Sequence, residues 1–269
     1  MSTDRISLSK GELRRENIMR LLKLQGKVTI QEITEKFGCS EPTARRDLDL
    51  LEKQGGIIRS FGGAQLDASP IAFEASFTDK QQLLLLEKEA IARTAAAMVQ
   101  QGDIVGLTGG STTFLIARML KQHQGITVVT NAVNIAMELS DSEGVQVVLT
   151  GGVMRRKSFE LCGPLAEKVL EGLHIGKMFM GIDGFTVEAG MTTFSEQEAV
   201  IGALMLKRAA TSYAVFDHTK AGKNSLFSIA PLTALKGCIT DQKLPDAMTK
   251  YLKAHRIELF VAEKEQMEV

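Results

Sequence analysis

The sequence predicts an α/β protein in two parts: an N-terminal winged helix-turn-helix joined to a larger, mainly parallel α/β domain. Three observations carry this. A helix starts after Ser40, just beyond a Gly turn; a strand-like run, Ile57 to Ala64, sits between Gly pairs; and beyond about residue 82 apolar runs alternate with helical segments.

The first helix, from about Glu12 to Gln25, carries Leu13, Ile18, Leu21 and Leu22 among the basic residues Arg14, Arg15, Arg20 and Lys23, and ends at Gly26. The second, Ile30 to Phe37, places Ile30, Ile33 and Phe37 at helical spacing before Gly38, whose tolerance of positive φ suits a sharp inter-helix turn. The third starts near Glu41: the Ser40 hydroxyl is available to the free N–H groups of its first turn, and Pro42 sits where a missing donor does little harm. Ala44, Leu48 and Leu51 form one buried stripe, which leaves Pro42, Arg46, Asp49 and Lys53 opposite and Thr43 and Arg45 on the flanks. Gly55-Gly56 then leads through Ile57-Ile58-Arg59-Ser60-Phe61 to Gly62-Gly63-Ala64, a β-hairpin wing. By itself an adjacent arginine pair fits a solvated helix face as well as a surface that reads DNA.

Composition bounds the function classes. The 269 residues are 44% hydrophobic and 24% charged with net charge zero, ordinary globular values with room for two domains. Residues 1–66 hold 12 Lys and Arg against 9 Asp and Glu, a mild basic bias that fits a small DNA-binding module without proving one. Cys39, Cys162 and Cys238 are odd in number and widely spaced, so reduced thiols are expected rather than a disulfide framework or a zinc ribbon. Met1 to Gly11 lacks the apolar core of a secretion signal, and no stretch approaches the roughly 18 apolar residues that span a bilayer. A cytoplasmic protein without membrane contact is expected.

The chain divides as 1–66 for the winged helix-turn-helix, 67–77 for a linker punctuated by Pro70, and 78–269 for the second domain. Strands are predicted at Asp103–Leu107, Ile126–Thr130, Val145–Leu149, Lys177–Ile182, Ser212–Phe216, Gly237–Thr240 and Ile257–Val261. Helices are predicted at Gln82–Gln101, Thr112–His123, Asn131–Ser140, Pro164–Leu173, Glu196–Ala210 and Asp246–His255. Such alternation makes a mainly parallel sheet covered on both faces, whose ligands lie beyond the C-terminal strand ends. The loop after the first of these strands runs Thr108-Gly109-Gly110-Ser111-Thr112-Thr113 straight into a helix. Its glycines admit close approach of an anion, its hydroxyls can donate, and the helix N-terminus adds free N–H groups. Alone, Gly-Gly-Ser-Thr also fits a plain capped turn. It has neither the Gly-Lys-Ser/Thr ending of a P-loop nor the Gly-x-Gly-x-x-Gly of dinucleotide sites, so no nucleotide cofactor is expected, and no metal. Polar groups recur at other strand ends, at Thr130-Asn131, Thr150-Gly151-Gly152, Asp183-Gly184 and Asp217-His218-Thr219-Lys220, with Lys80, Lys88 and Arg155-Arg156-Lys157 as nearby cations. Together they suggest a sugar-phosphate pocket.

These motifs match a family pattern over nearly the whole chain. Arg15, the Ser40-x-x-Thr43-Ala44-Arg45-Arg46-Asp47-Leu48 core, Leu51-Glu52-x-x-Gly55 and Gly62-Gly63-Ala64 resemble the DeoR family of bacterial transcriptional regulators. So do Phe77-x-x-Lys80, Glu87-Lys88-x-x-Ile91-Ala92, the Gly-Ser-Thr-Thr loop, Thr130-Asn131, Thr150-Gly151-Gly152, Gly181-x-Asp183-Gly184, Glu198-Ala199 and Asp217-His218-Thr219-Lys220.

The resemblance implies a recognition helix in the major groove, with Ser40, Pro42, Thr43, Arg45, Arg46 and Arg59 as DNA-binding candidates. Arg46 is the candidate for a bidentate guanine contact, while Arg45 and Arg59 suit phosphates. Asp47 lies beside the apolar stripe and is expected to pair with Arg15. The resemblance also implies a sensor domain similar in fold to ribose-5-phosphate isomerase and glucosamine-6-phosphate deaminase. Its effector-site candidates are Lys80, Lys88, Thr108, Gly109, Gly110, Ser111, Thr112, Thr113, Asn131, Gly151, Gly152, Asp183, Asp217 and Lys220. Thr108 departs from the Asp that the family often has there, so the identity of the effector does not carry over.

The resulting expectation is a homo-oligomeric repressor of a carbohydrate operon, with a double-stranded DNA operator and a phosphorylated sugar as partners. The alternative is a sugar-phosphate isomerase or deaminase carrying an added DNA-binding module. Asp183, Glu196 and Glu198 could supply its carboxylates. Against it, none of the four histidines shows a His/carboxylate cluster in sequence, and a complete winged helix-turn-helix has no role in a plain enzyme.

Overall fold

The computed structural model describes residues 9–54, 57–66 and 74–263. It divides into two compact units, Met1–Ala75 and Ser76–Val269. Gly55-Gly56 and the central part of the expected linker, 67–73 with Pro70, lie outside the described residues, as do residues 1–8.

The first unit contains α1 (Lys10–Gln25), β1 (Lys27–Thr29), α2 (Ile30–Phe37), α3 (Glu41–Gln54), β2 (Ile57–Ser60) and β3 (Gly63–Leu66). Reciprocal capping boxes, Ser9 with Glu12 and Thr29 with Glu32, start α1 and α2. Left-handed glycines, Gly26 and Gly38, end them. The strands form an antiparallel sheet in the order β1-β3-β2. Gly63 has to be glycine, because a Cβ there would lie 2.0 Å from the Val28 carbonyl oxygen. The core joins Ile18 and Leu22 of α1, Ile33 of α2, Ala44, Leu48 and Leu51 of α3, and Ile57 of the wing. Leu13 stays exposed.

The second unit contains α4 (Phe77–Gln81), α5 (Leu85–Ala96), β4 (Ile104–Leu107), α6 (Ser111–Leu120), β5 (Ile126–Thr130), α7 (Val133–Leu139), β6 (Val145–Leu149), β7 (Val153–Met154), β8 (Leu161–Cys162), α8 (Pro164–Glu171) and β9 (Ile175–Gly181). It continues with β10 (Gly184–Thr186), β11 (Gly190–Thr193), α9 (Glu196–Arg208), β12 (Ala209–Val215), β13 (Phe227–Ala230), β14 (Gly237–Thr240), α10 (Asp246–Ala254) and β15 (Glu258–Val261).

Seven strands form one parallel sheet, in the order β15-β14-β12-β9-β4-β5-β6. They are the seven that the apolar runs predict. Alternation along β9 shows how both faces are covered: Phe179 packs with Ile91 of α5, Ile116 of α6 and Ile135 of α7, whereas Met178 and Met180 pack with Ala166 of α8, Ile201 of α9 and Leu252 of α10.

Two features depart from expectation. The helix expected over Gln82–Gln101 is shorter and is preceded by a separate turn of helix, α4, with Leu84 at φ 48° between them. Two small antiparallel additions, the β7–β8 hairpin and the β10-β11-β13 sheet, also flank the main sheet.

Candidate functional site

In the first unit, the Ser40 carbonyl accepts the opening helical bond of α3 from Ala44 (3.0 Å), while the Ser40 and Thr43 hydroxyls meet at 2.9 Å. Pro42, Arg45 and Arg46 are exposed. Among the described residues Arg45 pairs with Glu41 on the same helix at 3.4 Å, and Arg46 is exposed, so its guanidinium is open to solvent. Arg59 is engaged differently: its Nε lies 3.3 Å from Asp49, its guanidinium donates to the Gly63 carbonyl, and its backbone N–H donates to Glu52 at 3.0 Å. It clamps the wing onto α3. Asp47, 3% exposed, takes Arg14 Nε at 2.5 Å and Arg15 at 3.3 Å, so the expected partner is joined by a nearer one. Hydrogen bonding to Asp47 raises the pKa of Arg14.

In the second unit, the candidate loops gather at the C-terminal edge of the sheet. The Thr108–Thr113 loop follows β4, Asn131 follows β5, Gly151 and Gly152 follow β6, Asp183 follows β9, and Asp217–Lys220 follow β12. Gly110 takes φ 136° ahead of α6, and the Phe114 N–H and Thr113 hydroxyl both donate to its carbonyl at 3.0 Å. The Thr113 hydroxyl is thereby committed to holding the loop. The first-turn N–H groups of α6, from Ser111 to Thr113, have no acceptor within their own helix, the arrangement that suits an anion. Thr108 accepts from the Gly181 N–H at 3.0 Å, which ties β4 to the end of β9.

Asp183 organises the cations. Lys80 Nζ lies 2.6 Å and Lys220 Nζ 3.9 Å from its Oδ1, and the Thr193 hydroxyl donates to Oδ2. Burial raises the Asp183 pKa, but Lys80 and Lys220 outweigh it and hold the group below its ordinary value. Burial lowers the Lys220 pKa despite Asp183. Lys88 donates to the Lys80 carbonyl at 2.7 Å, and burial depresses its pKa from 10.5 to about 8. Asp217 is spent locally, accepting from the N–H and hydroxyl of Thr219. Gly152 serves packing, since a Cβ there would lie 2.7 Å from the Cys162 carbonyl oxygen in the β7–β8 hairpin. Asn131 reaches toward that hairpin as well: its carbonyl accepts from Leu161 N–H at 2.7 Å and its Nδ2 lies 3.2 Å from Glu160 Oε2.

Glu160 escaped the sequence reading. It is buried against Gly109, where a Cβ would fall 2.0 Å from its Oε1, and burial followed by the nearby Glu198 pushes its pKa well up. Arg155 pairs with Glu198, and the Thr193 hydroxyl, whose one proton serves a single carboxylate at a time, also lies 3.1 Å from Glu198 Oε2, so one chain of polar contacts runs from Arg155 through Glu198 and Thr193 to Asp183. The one signal in sequence was an acid inside the apolar run Phe159-Glu160-Leu161-Cys162, a place where a charge needs a partner. No histidine shows a His/carboxylate cluster in sequence, but the fold makes one: His218 Nδ1 lies 2.7 Å from Asp241 Oδ2, and the His218 backbone N–H donates to Oδ1 at 2.6 Å. Those residues are 23 apart in the chain, on the ends of neighbouring strands.

Among the described residues no helix is long and apolar enough to cross a membrane. Cys39, Cys162 and Cys238 are free thiols, and burial raises the pKa of Cys238 to about 12.

Residues 14–69 match the model of the DeoR-like helix-turn-helix domain, and residues 85–242 match that of the DeoR C-terminal sensor domain. The chain is 34% identical over 249 residues to the putative aga operon transcriptional repressor of Escherichia coli O157:H7, covering 92% of this chain and 93% of that one. It is 32% identical over 249 residues to the HTH-type transcriptional repressor GlcR of Bacillus subtilis (strain 168), covering 93% and 95%. A solved ribose-5-phosphate isomerase A from Methanocaldococcus jannaschii aligns with 16% identity and a TM-score of 0.38, covering 49% of this chain and 52% of that one.

Proposed function

The chain belongs to the DeoR family of transcriptional regulators, and on that premise we propose that it is a cytoplasmic, homo-oligomeric repressor of a carbohydrate operon, released from its operator by a phosphorylated sugar. The observation that carries this reading is the pairing, in one chain, of an exposed Arg45–Arg46 helix with a parallel sheet whose strand ends gather an open helix N-terminus and three lysines. Relatives named as repressors of the aga operon and as GlcR support the carbohydrate assignment. Paired half-sites about one helical turn apart require at least two heads, hence the oligomer. A sugar phosphate weakens operator binding only by favouring an arrangement in which those heads no longer match the half-sites. The pocket senses its ligand instead of converting it.

The test is a titration of promoter DNA at several salt concentrations, with and without a panel of sugar phosphates. Binding should weaken steeply with salt, and one phosphorylated sugar should release the DNA. Arg46→Ala should lose about 1–3 kcal/mol of discrimination at a single base pair. Turnover of sugar phosphates by the full chain, with no promoter binding, would favour the isomerase reading instead.

A pH dependence follows from Lys88. The unfolded chain keeps this proton up to about 10.5 and the folded one only to about 8, so the group adds stability as pH rises between those values. Effector binding should run the opposite way, because loss of that proton removes a positive charge from an anion site. Calorimetric affinity for the sugar phosphate should therefore fall as pH rises through about 8, and this dependence should vanish in Lys88→Met.

A further inference from the structure

The wing carries a feature that the arginines of α3 do not explain. Phe61 is 111% exposed, its whole ring held in solvent at the turn between β2 and β3. The turn itself is fixed: Gly62, at φ 86°, accepts from the Ile30 N–H at 2.8 Å, and the flanking strands pair from Ile57 with Leu66 to Ser60 with Gly63. An aromatic ring of this size is unfavourable in water relative to burial, so a rigid turn that presents one suits a partner that covers it.

The position of the ring identifies the partner. β2 folds back along α3, since Arg59 is held by both Glu52 and Asp49 of that helix. A strand advances about 3.3 Å per residue and a helix about 1.5 Å, so the two residues from Arg59 to Phe61 correspond to roughly four residues of α3. That step back from Asp49 and Glu52 reaches residues 45–48, so the turn that carries Phe61 lies toward the half of α3 that holds Arg45 and Arg46. Residues 57–66 contain no acidic side chain, so nothing in the hairpin repels a polyanion.

We propose that Phe61 is an apolar wedge that enters the operator's minor groove beside the major groove read by α3, packing on deoxyribose or partly unstacking a base step. This rests on the reading of the chain as a DNA-binding regulator. Its consequence is that part of the specificity lies in how readily the flanking step deforms, at positions where no side chain hydrogen-bonds a base.

The test compares Phe61→Ala, Phe61→Leu and Arg46→Ala in the full chain on operator DNA, by affinity, salt slope and a circular-permutation bending assay. Phe61→Ala should bind about 10- to 100-fold more weakly with an unchanged salt slope, because an apolar contact releases no counterions. The bend should shrink, Phe61→Leu should retain most of both, and melting temperature and oligomeric state should not move. Arg46→Ala should instead weaken binding and relax discrimination at the base pair it reads. Phe61→Ala with wild-type affinity and bend, beside a defective Arg46→Ala, would overturn the wedge and leave the regulator standing. A changed oligomeric state in Phe61→Ala would overturn it too, by assigning the ring to a contact between copies. Wild-type protein that binds no promoter DNA would instead remove the proposed function.

Discussion

Asp47→Ala should destabilise the DNA-reading unit by about 3 kcal/mol while leaving the second unit intact. Asp47 is the buried joint between α1 and α3: its side chain is 4% exposed and its two oxygens are taken by Arg14 at 2.5 Å and Arg15 at 3.3 Å. Removing it leaves two neighbouring cations of α1 against α3 without an anion. Breaking a buried pair from one side costs about 3–5 kcal/mol, and because both arginines are 22% exposed and can partly rehydrate, the low end applies here. For a unit of this size about 3 kcal/mol lowers the melting temperature by more than about 10 °C. Calorimetry of the full chain should show one transition shifted down and a second unmoved. Asp47→Asn keeps the shape but not the charge and should fall between. If Asp47→Ala melted like the wild type and bound operator as tightly, the carboxylate would not be a joint. The effect on DNA binding is indirect, through the placement of α3 and with it of Arg45 and Arg46.

The same residue illustrates what was legible in the sequence. Asp47 beside the stripe of Ala44 and Leu48 had to find a cation, and Arg15 could be named. Arg14 could not be separated from it, because adjacent residues on α1 both border the face that meets α3. The seven strands of the main sheet were legible for a simple reason: a strand covered on both faces is apolar along most of its length, as Val105 and Leu107 of β4 or Met178 to Met180 of β9 show. β7, β8 and β10 are two or three residues long, too short for any period to register.

The strand-end loops were legible as a group, because glycines and hydroxyls before a helix have a local cause. The roles within the group were not. Arg155 meets Glu198 across 43 residues and His218 meets Asp241 across 23, pairings set by strand order, which spacing along the chain does not encode.

Gly109→Ala should disable the response to effector without changing operator affinity in its absence. The added Cβ would lie 2.0 Å from Glu160 Oε1 and 2.3 Å from its Cγ, so a rotation of the carboxyl tip is not enough and the whole side chain has to leave. Glu160 has little room to do so. Its carbonyl accepts from the Arg155 N–H at 2.8 Å, its neighbour Leu161 is tied to Asn131, and Asn131 Nδ2 holds its carboxyl. The strain therefore passes to the β7–β8 hairpin and to the loop that opens α6, the place where an anion would sit. Overpacking of this kind costs about 1–3 kcal/mol. Two further variants separate the steric cause from a chemical one. Glu160→Gln should be well tolerated, since burial and Glu198 already favour the uncharged acid and the amide has nearly its shape. The double variant Gly109→Ala with Glu160→Ala should recover much of what the single one loses, because the atoms that the methyl group meets are gone; that coupling is the mark of a direct contact. Calorimetric titration with the effector and thermal melting read both effects. A Gly109→Ala protein with wild-type effector affinity and melting temperature would show that Glu160 is free to move aside, and the loop would then owe its glycine to the path of the backbone alone.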